Sequence, residues 1–283
     1  MKFLKLKDGI QIPRLGQGTW YMGDDPRRRP EELAALKAGI GKGMTLIDSA
    51  EMYGDGRAES LVGELVPAYP RTSLFLVSKV YPHNADRRHI FTSCEASLRR
   101  MNAESLDLYL LHWRGSVPLE ETVLCMEELI ERGMICRWGV SNFDTDDLEE
   151  LFRIKGGENC AVNQVLYHLG SRGVEYSLLP WMESHGLPLM AYCPLAQAGA
   201  LRRGLLSHPV VLELAGNHGA SPIQILLAFL LTRKNVFAIP RSGRPEHTLE
   251  NAGAAEIELT QEELDRLDHA FPPPRHKTYL DMV

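Results

Sequence analysis

One pattern constrains this chain more than any other. A short apolar run, a polar loop and an amphipathic stretch recur in that order eight times. The apolar runs fall at 15–19, 45–48, 74–80, 106–112, 136–141, 161–166, 187–193 and 236–240. Helical periodicity predicts helices over 30–42, 57–68, 86–100, 119–132, 145–154, 174–184, 221–233 and 245–254. Runs such as Leu108-Tyr109-Leu110-Leu111 are nearly continuous, which suits parallel strands buried on both faces. Strands alternating with helices define an α/β chain with a parallel sheet and helical crossovers.

Two architectures satisfy that alternation: an open doubly wound sheet and a closed (β/α)8 TIM barrel. Eight strands and the absence of a dinucleotide-type glycine fingerprint favour the barrel. Residues 4–14 form two alternating runs around the turn pair Asp8-Gly9, a hairpin placed to close the bottom of the barrel. Beyond Phe271-Pro272-Pro273-Pro274 an irregular tail is expected to lie over the active-site face. No Pro/Gly/Ser-rich linker or change of composition interrupts the chain, so 1–283 is read as one domain.

Composition removes several function classes. Lys and Arg total 31 against 37 Asp and Glu, for a net charge of −6. That balance argues against the basic face that nucleic-acid or membrane-surface binding needs. No apolar run approaches the roughly 20 residues of a membrane span, and the N-terminus carries no signal-peptide core. Five cysteines, Cys94, Cys125, Cys136, Cys160 and Cys193, form no C-x-x-C pair and read as buried thiols in a reducing compartment. The expectation is a cytoplasmic protein, and without a heptad or an apolar stripe, a monomer.

A barrel collects its chemistry at the C-terminal ends of its strands. Those ends carry Asp48, Lys79 and His112, one βα unit apart each time, and the loop after the second strand adds Tyr53. A strand-end Asp is ordinarily a cap, and a lone Lys, His or Tyr is ordinarily a solvated group. Four such groups on three consecutive strands fit carbonyl reduction. Hydride delivery to C=O leaves an alkoxide, which needs a proton donor and a polarising group. A phenol becomes a usable acid beside a cation, so Lys79 can assist Tyr53, Asp48 can hold Lys79 charged, and His112 can hydrogen-bond the carbonyl oxygen. Trp20, Tyr53, Tyr81, His112 and Trp113 would then line the substrate mouth, and Arg114 would add a positive group if it turned inward.

The phrases Gly16-Gln17-Gly18-Thr19-Trp20, Leu46-Ile47-Asp48-Ser49-Ala50-Glu51-Met52-Tyr53-Gly54, Leu108-Tyr109-Leu110-Leu111-His112-Trp113 and Gly139-Val140-Ser141-Asn142-Phe143 resemble the aldo-keto reductases. The stretch Leu166-Tyr167-His168-Leu169-Gly170-Ser171-Arg172-Gly173 and the end of the tail resemble the bacterial branch associated with methylglyoxal reduction. The resemblance implies NADPH across the barrel mouth. It assigns Ser141, Asn142 and Gln164 to the nicotinamide carboxamide and Tyr192 to stacking on the ring. Gly18, Thr19, Trp20 and Asp48 would lie beside the cofactor. Pro194, Leu195, Gln197, Gly199 and Leu201 would belong to a loop strapping the pyrophosphate. Ile239, Pro240, Arg241, Ser242 and Gly243 would approach the 2′-phosphate, with His247, Glu250 and Asn251 near the adenine. Arg241 stands where Lys is common in the family, and its planar fork suits a phosphate. His247 stands where Arg is common, a loss that Arg244 can offset. The implied reaction is NADPH-dependent reduction of small aldehydes, ketones and α-oxoaldehydes such as methylglyoxal, with NADPH preferred over NADH.

The same residues argue against three rival functions. A non-catalytic nucleotide-binding regulatory barrel would have no need of all four reactive side chains. A sugar-phosphate isomerase or lyase would want a Glu base at a strand end. A metal-dependent hydrolase would need clustered ligands, whereas His83, His89, His185, His208 and His218 are scattered, so no metal is expected.

Overall fold

A computed structural model describes all 283 residues. The chain opens with an antiparallel hairpin, β1 (Phe3–Lys5) and β2 (Gln11–Pro13), turning at Asp8-Gly9. Eight parallel strands follow in chain order: β3 (Gln17–Gly18), β4 (Leu46–Asp48), β5 (Phe75–Val80), β6 (Leu108–Leu111), β7 (Trp138–Ser141), β8 (Asn163–Leu166), β9 (Leu189–Tyr192) and β10 (Val236–Ala238). Between consecutive strands run α1 (Arg29–Gly41), α2 (Arg57–Leu65), α3 (Ile90–Met101), α4 (Leu119–Glu131), α5 (Thr145–Arg153) and α6 (Leu178–Ser184). Three helices, α7 (Ala200–Leu206), α8 (Pro209–Asn217) and α9 (Pro222–Thr232), separate the last two strands, and α10 (Pro245–Gly253) and α11 (Gln261–Ala270) end the fold.

The sheet closes on itself. Gly16 N donates to Ala238 O at 2.9 Å, Ala238 N to Arg14 O at 2.9 Å, and Gly18 N to Pro240 O at 3.2 Å, joining the first barrel strand to the last. The buried guanidinium of Arg14 fastens the same seam from below, donating from Nε to Val236 O at 2.9 Å. The expected TIM barrel is therefore the observed one.

Strand alternation sorts the side chains into two layers. Ile47, Leu76, Tyr109, Leu111 and Val165 face outward into the helix layer. Leu46, Val77, Leu108, Leu110, Met190 and Phe237 face inward. Leu4, Leu6 and Ile12 of the hairpin pack into that inner cluster and plug its lower end. Each buried aliphatic or aromatic side chain contributes about 1.5–3 kcal/mol, so the lower barrel is a solid core. Parity then dictates the upper rim, because Asp48, Lys79 and His112 each sit an even number of residues beyond an inward-facing one.

Several expected boundaries move for identifiable reasons. The helix expected over 86–100 begins at Ile90, because the Asp86 carboxylate accepts the N–H groups of Arg88 and His89 and holds 86–89 in a turn. The one expected over 57–68 leaves α geometry after Leu65, where Pro67 belongs to a 3-10 turn. The segment 174–184 divides into a 3-10 turn and α6, with Pro180 in the first turn of the helix. Helices α7, α8 and α11 lie outside the sequence expectation. The cysteine expectation also needs correction: Cys94, Cys125 and Cys160 are buried, but Cys136 is exposed and Cys193 half-buried. Cys136 sits in the polar turn before β7 rather than inside the strand. No single helix is long and apolar enough to cross a membrane.

Candidate active site

At the upper rim the inward-facing ends of β4 and β5 meet. Lys79 is fully buried, and its ammonium uses all three of its N–H donors. It donates to Asp48 Oδ2 at 2.8 Å, to Ser49 O at 2.7 Å and to the Tyr53 hydroxyl oxygen at 3.1 Å. Asp48 accepts a second bond on Oδ1 from Gln164 Nε2 at 2.9 Å. Burial pushes the Asp48 carboxyl up and the Lys79 ammonium down, and their mutual contact opposes both shifts. The 2.8 Å contact between Asp48 and Lys79, with Gln164 Nε2–H as a further donor to the carboxylate, favours the ion pair against the cost of burying it. Burial, with the charge of Asp48 adding to it, raises the Tyr53 phenol well above its ordinary value. Tyr53 therefore rests as a neutral phenol. Its oxygen already accepts from Lys79, so its O–H proton is free to point into the adjoining cavity.

That cavity, about 440 Å³, is lined by Trp20, Met52, Tyr53, His112, Trp113, Ser141, Asn142, Gln164, Tyr192 and Val283. The His112 ring lies edge-on to Tyr53 with centroids 5.8 Å apart. Burial, and secondarily the Lys79 charge, pushes its imidazole down to about 2, so the ring is neutral. Nδ1 is buried without a partner. An orphaned acceptor lone pair costs less than an orphaned N–H, which places the proton on Nε2. The ring thus offers a neutral N–H donor. Trp20 forms one wall, stacked 6.2 Å from Tyr53, and Trp113 another, 4.9 Å from His112. Tyr81 stands behind Trp113, edge to face at 5.9 Å, and does not line the cavity. Arg114 turns away from it to pair with Asp147 and Glu150.

A second cavity, a groove of about 1110 Å³, shares Trp20, Tyr53 and Tyr192 with the first and runs between the ends of β9, β10 and β3. Its walls include Gly18, Asp48, Pro194, Leu195, Gln197, Ile239, Pro240 and Arg241 among the sequence candidates. Thr19, Gly199, Leu201, Ser242, Gly243, His247, Glu250 and Asn251 line neither cavity. Thr19 is buried and donates its hydroxyl to Asp48 O at 2.8 Å. Leu201 belongs to the first turn of α7 and is exposed, so the loop ends sooner than the sequence suggests.

At the junction of the two cavities the polar groups are largely committed to one another. Asn142 donates from Nδ2 to His112 O and accepts the Tyr192 hydroxyl at 2.8 Å; Ser141 donates to Gln164 O at 2.9 Å. What remains open is acceptor capacity: Gln164 Oε1 and spare lone pairs on Ser141 and Asn142. Such a set matches the two N–H donors of a primary carboxamide.

Sequence reasoning missed Met52, Val283, Tyr21 and Arg202. Met52 was visible as the residue beside Tyr53. Val283 arrives through the tail, which Lys277 ties to Asp146 at 3.1 Å and Asp281 ties to Ser171. Tyr21, Asn142, Cys193 and Ala196 all line a cavity and all hold left-handed backbone, with φ between 48° and 62°. Only Asp55 and Asn102 do so elsewhere among non-glycine residues, so backbone strain is concentrated at this rim.

A closed barrel with an Asp–Lys–Tyr contact and a neutral imidazole at its rim defines the reductase class of TIM barrels. The sequence agrees: residues 14–271 match the model of the Aldo/keto reductase family, and the chain belongs to that family. Among known relatives, the methylglyoxal reductase YeaE of Escherichia coli K12 is 54% identical over 282 residues, covering 100% of this chain and 99% of that protein. The glyoxal reductase of Bacillus subtilis is 32% identical, covering 94% of this chain and 91% of that one. An aldo/keto reductase from Klebsiella pneumoniae, solved in complex with NADP and acetate, superposes with a TM-score of 0.97 at 51% identity, covering 100% and 99% of the two chains.

Proposed function

We propose that this protein reduces small aldehydes, ketones and α-oxoaldehydes, methylglyoxal among them, to alcohols with NADPH. The observation that carries the reading is the saturated Lys79 ammonium, which leaves the phenolic proton of Tyr53 facing a cavity beside a neutral His112 N–H. The residues present fit the cofactor. Gln164, Ser141 and Asn142 offer acceptors for a carboxamide, and Tyr192 spans both cavities where a ring would lie. Arg202 and Arg241 are the cations of the groove wall. Bound there, NADPH supplies the hydride. Tyr53 donates its proton to the oxygen that receives negative charge, Lys79 stabilises the phenolate that results, and Asp48 keeps Lys79 protonated. His112 Nε2–H orients the carbonyl oxygen, while Trp20, Trp113 and Met52 exclude water. A monomer is the state we assign, and the cytoplasm the compartment.

The test is NADPH consumption with a panel of methylglyoxal, glyoxal, larger aldehydes and ketones, set against the same panel with NADH. Turnover of the α-oxoaldehydes with a higher kcat/KM for NADPH is the expected result; no consumption with any carbonyl would remove the assignment. The neutral state of His112 adds a pH prediction. A histidine held down at about 2 stays unprotonated as pH falls through the ordinary histidine range. At saturating substrate and cofactor, kcat should therefore stay level between about pH 5 and 8. An acid limb centred near the ordinary histidine value, lost in His112→Asn, would contradict it.

A further inference from the structure

The segment Asp24-Asp25-Pro26-Arg27-Arg28-Arg29 precedes α1 and carries three arginines in a row. The outer two are spoken for. Arg27 pairs with Asp25 at 2.9 Å, and Arg29 crosses to Glu64 at 2.6 Å. Arg28 is exposed and makes no ion pair or side-chain hydrogen bond. Its guanidinium lies instead over the loop that follows β10. An atom at the Cβ position of Gly243 would stand 3.2 Å from Arg28 Nη2, 3.7 Å from Arg241 Nη2 and 3.4 Å from Glu32 Cγ. Two guanidinium groups thus converge on one point, and the missing side chain of Gly243 leaves room for them.

The nearby carboxylates do not explain the gathering. Asp24 pairs with Arg57 at 3.1 Å, and Glu31 lies 3.9 Å from Arg244. Buried Glu32 accepts the Gly23 N–H at 2.8 Å and keeps a looser contact of 3.8 Å with Arg241. Arg241 also donates to Tyr21 O at 3.2 Å, which aims its fork along the groove wall. Matching each acid to its base leaves Arg28 as the unbalanced charge, beside an arginine that already lines the groove. Two guanidinium groups beside the single buried carboxylate of Glu32 leave one positive charge to spare, which suits a further anion.

We propose that Arg28 is a determinant of cofactor choice, closing with Arg241 on the 2′-phosphate of NADPH. The proposal rests on the NADPH reading above and adds to it a residue from the opposite end of the chain. Glu32 acts as a positioning residue that holds Arg241 in reach. A phosphate ester shared by two planar forks forms charge-assisted bonds that the 2′-hydroxyl of NADH does not.

The test is equilibrium binding of NADPH and of NADH, by calorimetry, to the wild type and to Arg28→Gln and Arg28→Lys. In Arg28→Gln the Kd for NADPH should rise about tenfold or more while that for NADH changes less than about twofold, and Arg28→Lys should recover part of the loss. Equal weakening of both dinucleotides would mean that Arg28 packs on the adenine, and overturns the proposal. A wild-type preference for NADPH that survives intact in Arg28→Gln overturns it while leaving the NADPH reading in place. Equal affinities in the wild type would overturn both.

Discussion

Tyr53→Phe is expected to lower kcat for carbonyl reduction by a factor on the order of 10²–10⁴, the range that a positioned general acid supplies. The substitution deletes one oxygen and nothing else. The ring keeps its packing against Trp20 and His112, so the Kd for NADPH should stay within about twofold of the wild type. The effect lands on kcat because proton donation is needed only as negative charge builds on the carbonyl oxygen. Steady-state kinetics with methylglyoxal, paired with cofactor titration by fluorescence, separates the two quantities. Undiminished turnover in this variant would take the proton donor's role away from Tyr53.

Lys79→Met should be as damaging to turnover and far more damaging to the fold. The change strands three acceptors at once, Asp48 Oδ2, Ser49 O and the Tyr53 oxygen, and leaves a buried carboxylate with Gln164 as its remaining donor. Removing one partner of a buried ion pair costs about 3–5 kcal/mol, which for a chain of this size lowers the thermal midpoint by roughly 5–15 °C. The double variant Lys79→Met/Asp48→Asn removes the stranded charge as well. It should recover much of the stability and none of the activity, because the phenol still has no cation beside it. Calorimetry of the two variants checks the first half of that statement, and NADPH consumption the second. A single variant as stable as the wild type would mean that Asp48 and Lys79 are not charged in the native state.

The barrel was legible because its strands are written in two overlapping codes. Continuous apolar runs such as Leu108-Tyr109-Leu110-Leu111 mark burial on both faces, and the polar residue closing each run marks the rim. Parity along the strand then brings Asp48, Lys79 and His112 to one side without any knowledge of tertiary contacts. Helices with a full apolar stripe or a Ser-Pro start were equally plain. Helix α11 was not, since Leu267 is its one buried residue and its main signal is the capping pair Thr260 and Glu263. The groove was less legible than the reactive centre. Arg202 reaches it from a short helix and Tyr21 from a left-handed loop residue, while Arg28 approaches Arg241 from a turn over 200 residues away. Spacing along the chain carries no trace of such meetings, which depend on how loops fold back across the rim.

Closure of the barrel has a bearing on when this protein comes into being on the ribosome. The strand ending at Gly18 is made long before the strand leading to Arg241, yet the two lie side by side in the wall of the same groove. A chain lacking the last strand therefore carries Tyr53 but an unfinished groove. Retention on an immobilised nucleotide resin would accordingly report molecules whose translation and assembly are finished, and pass over those arrested short of the final strand.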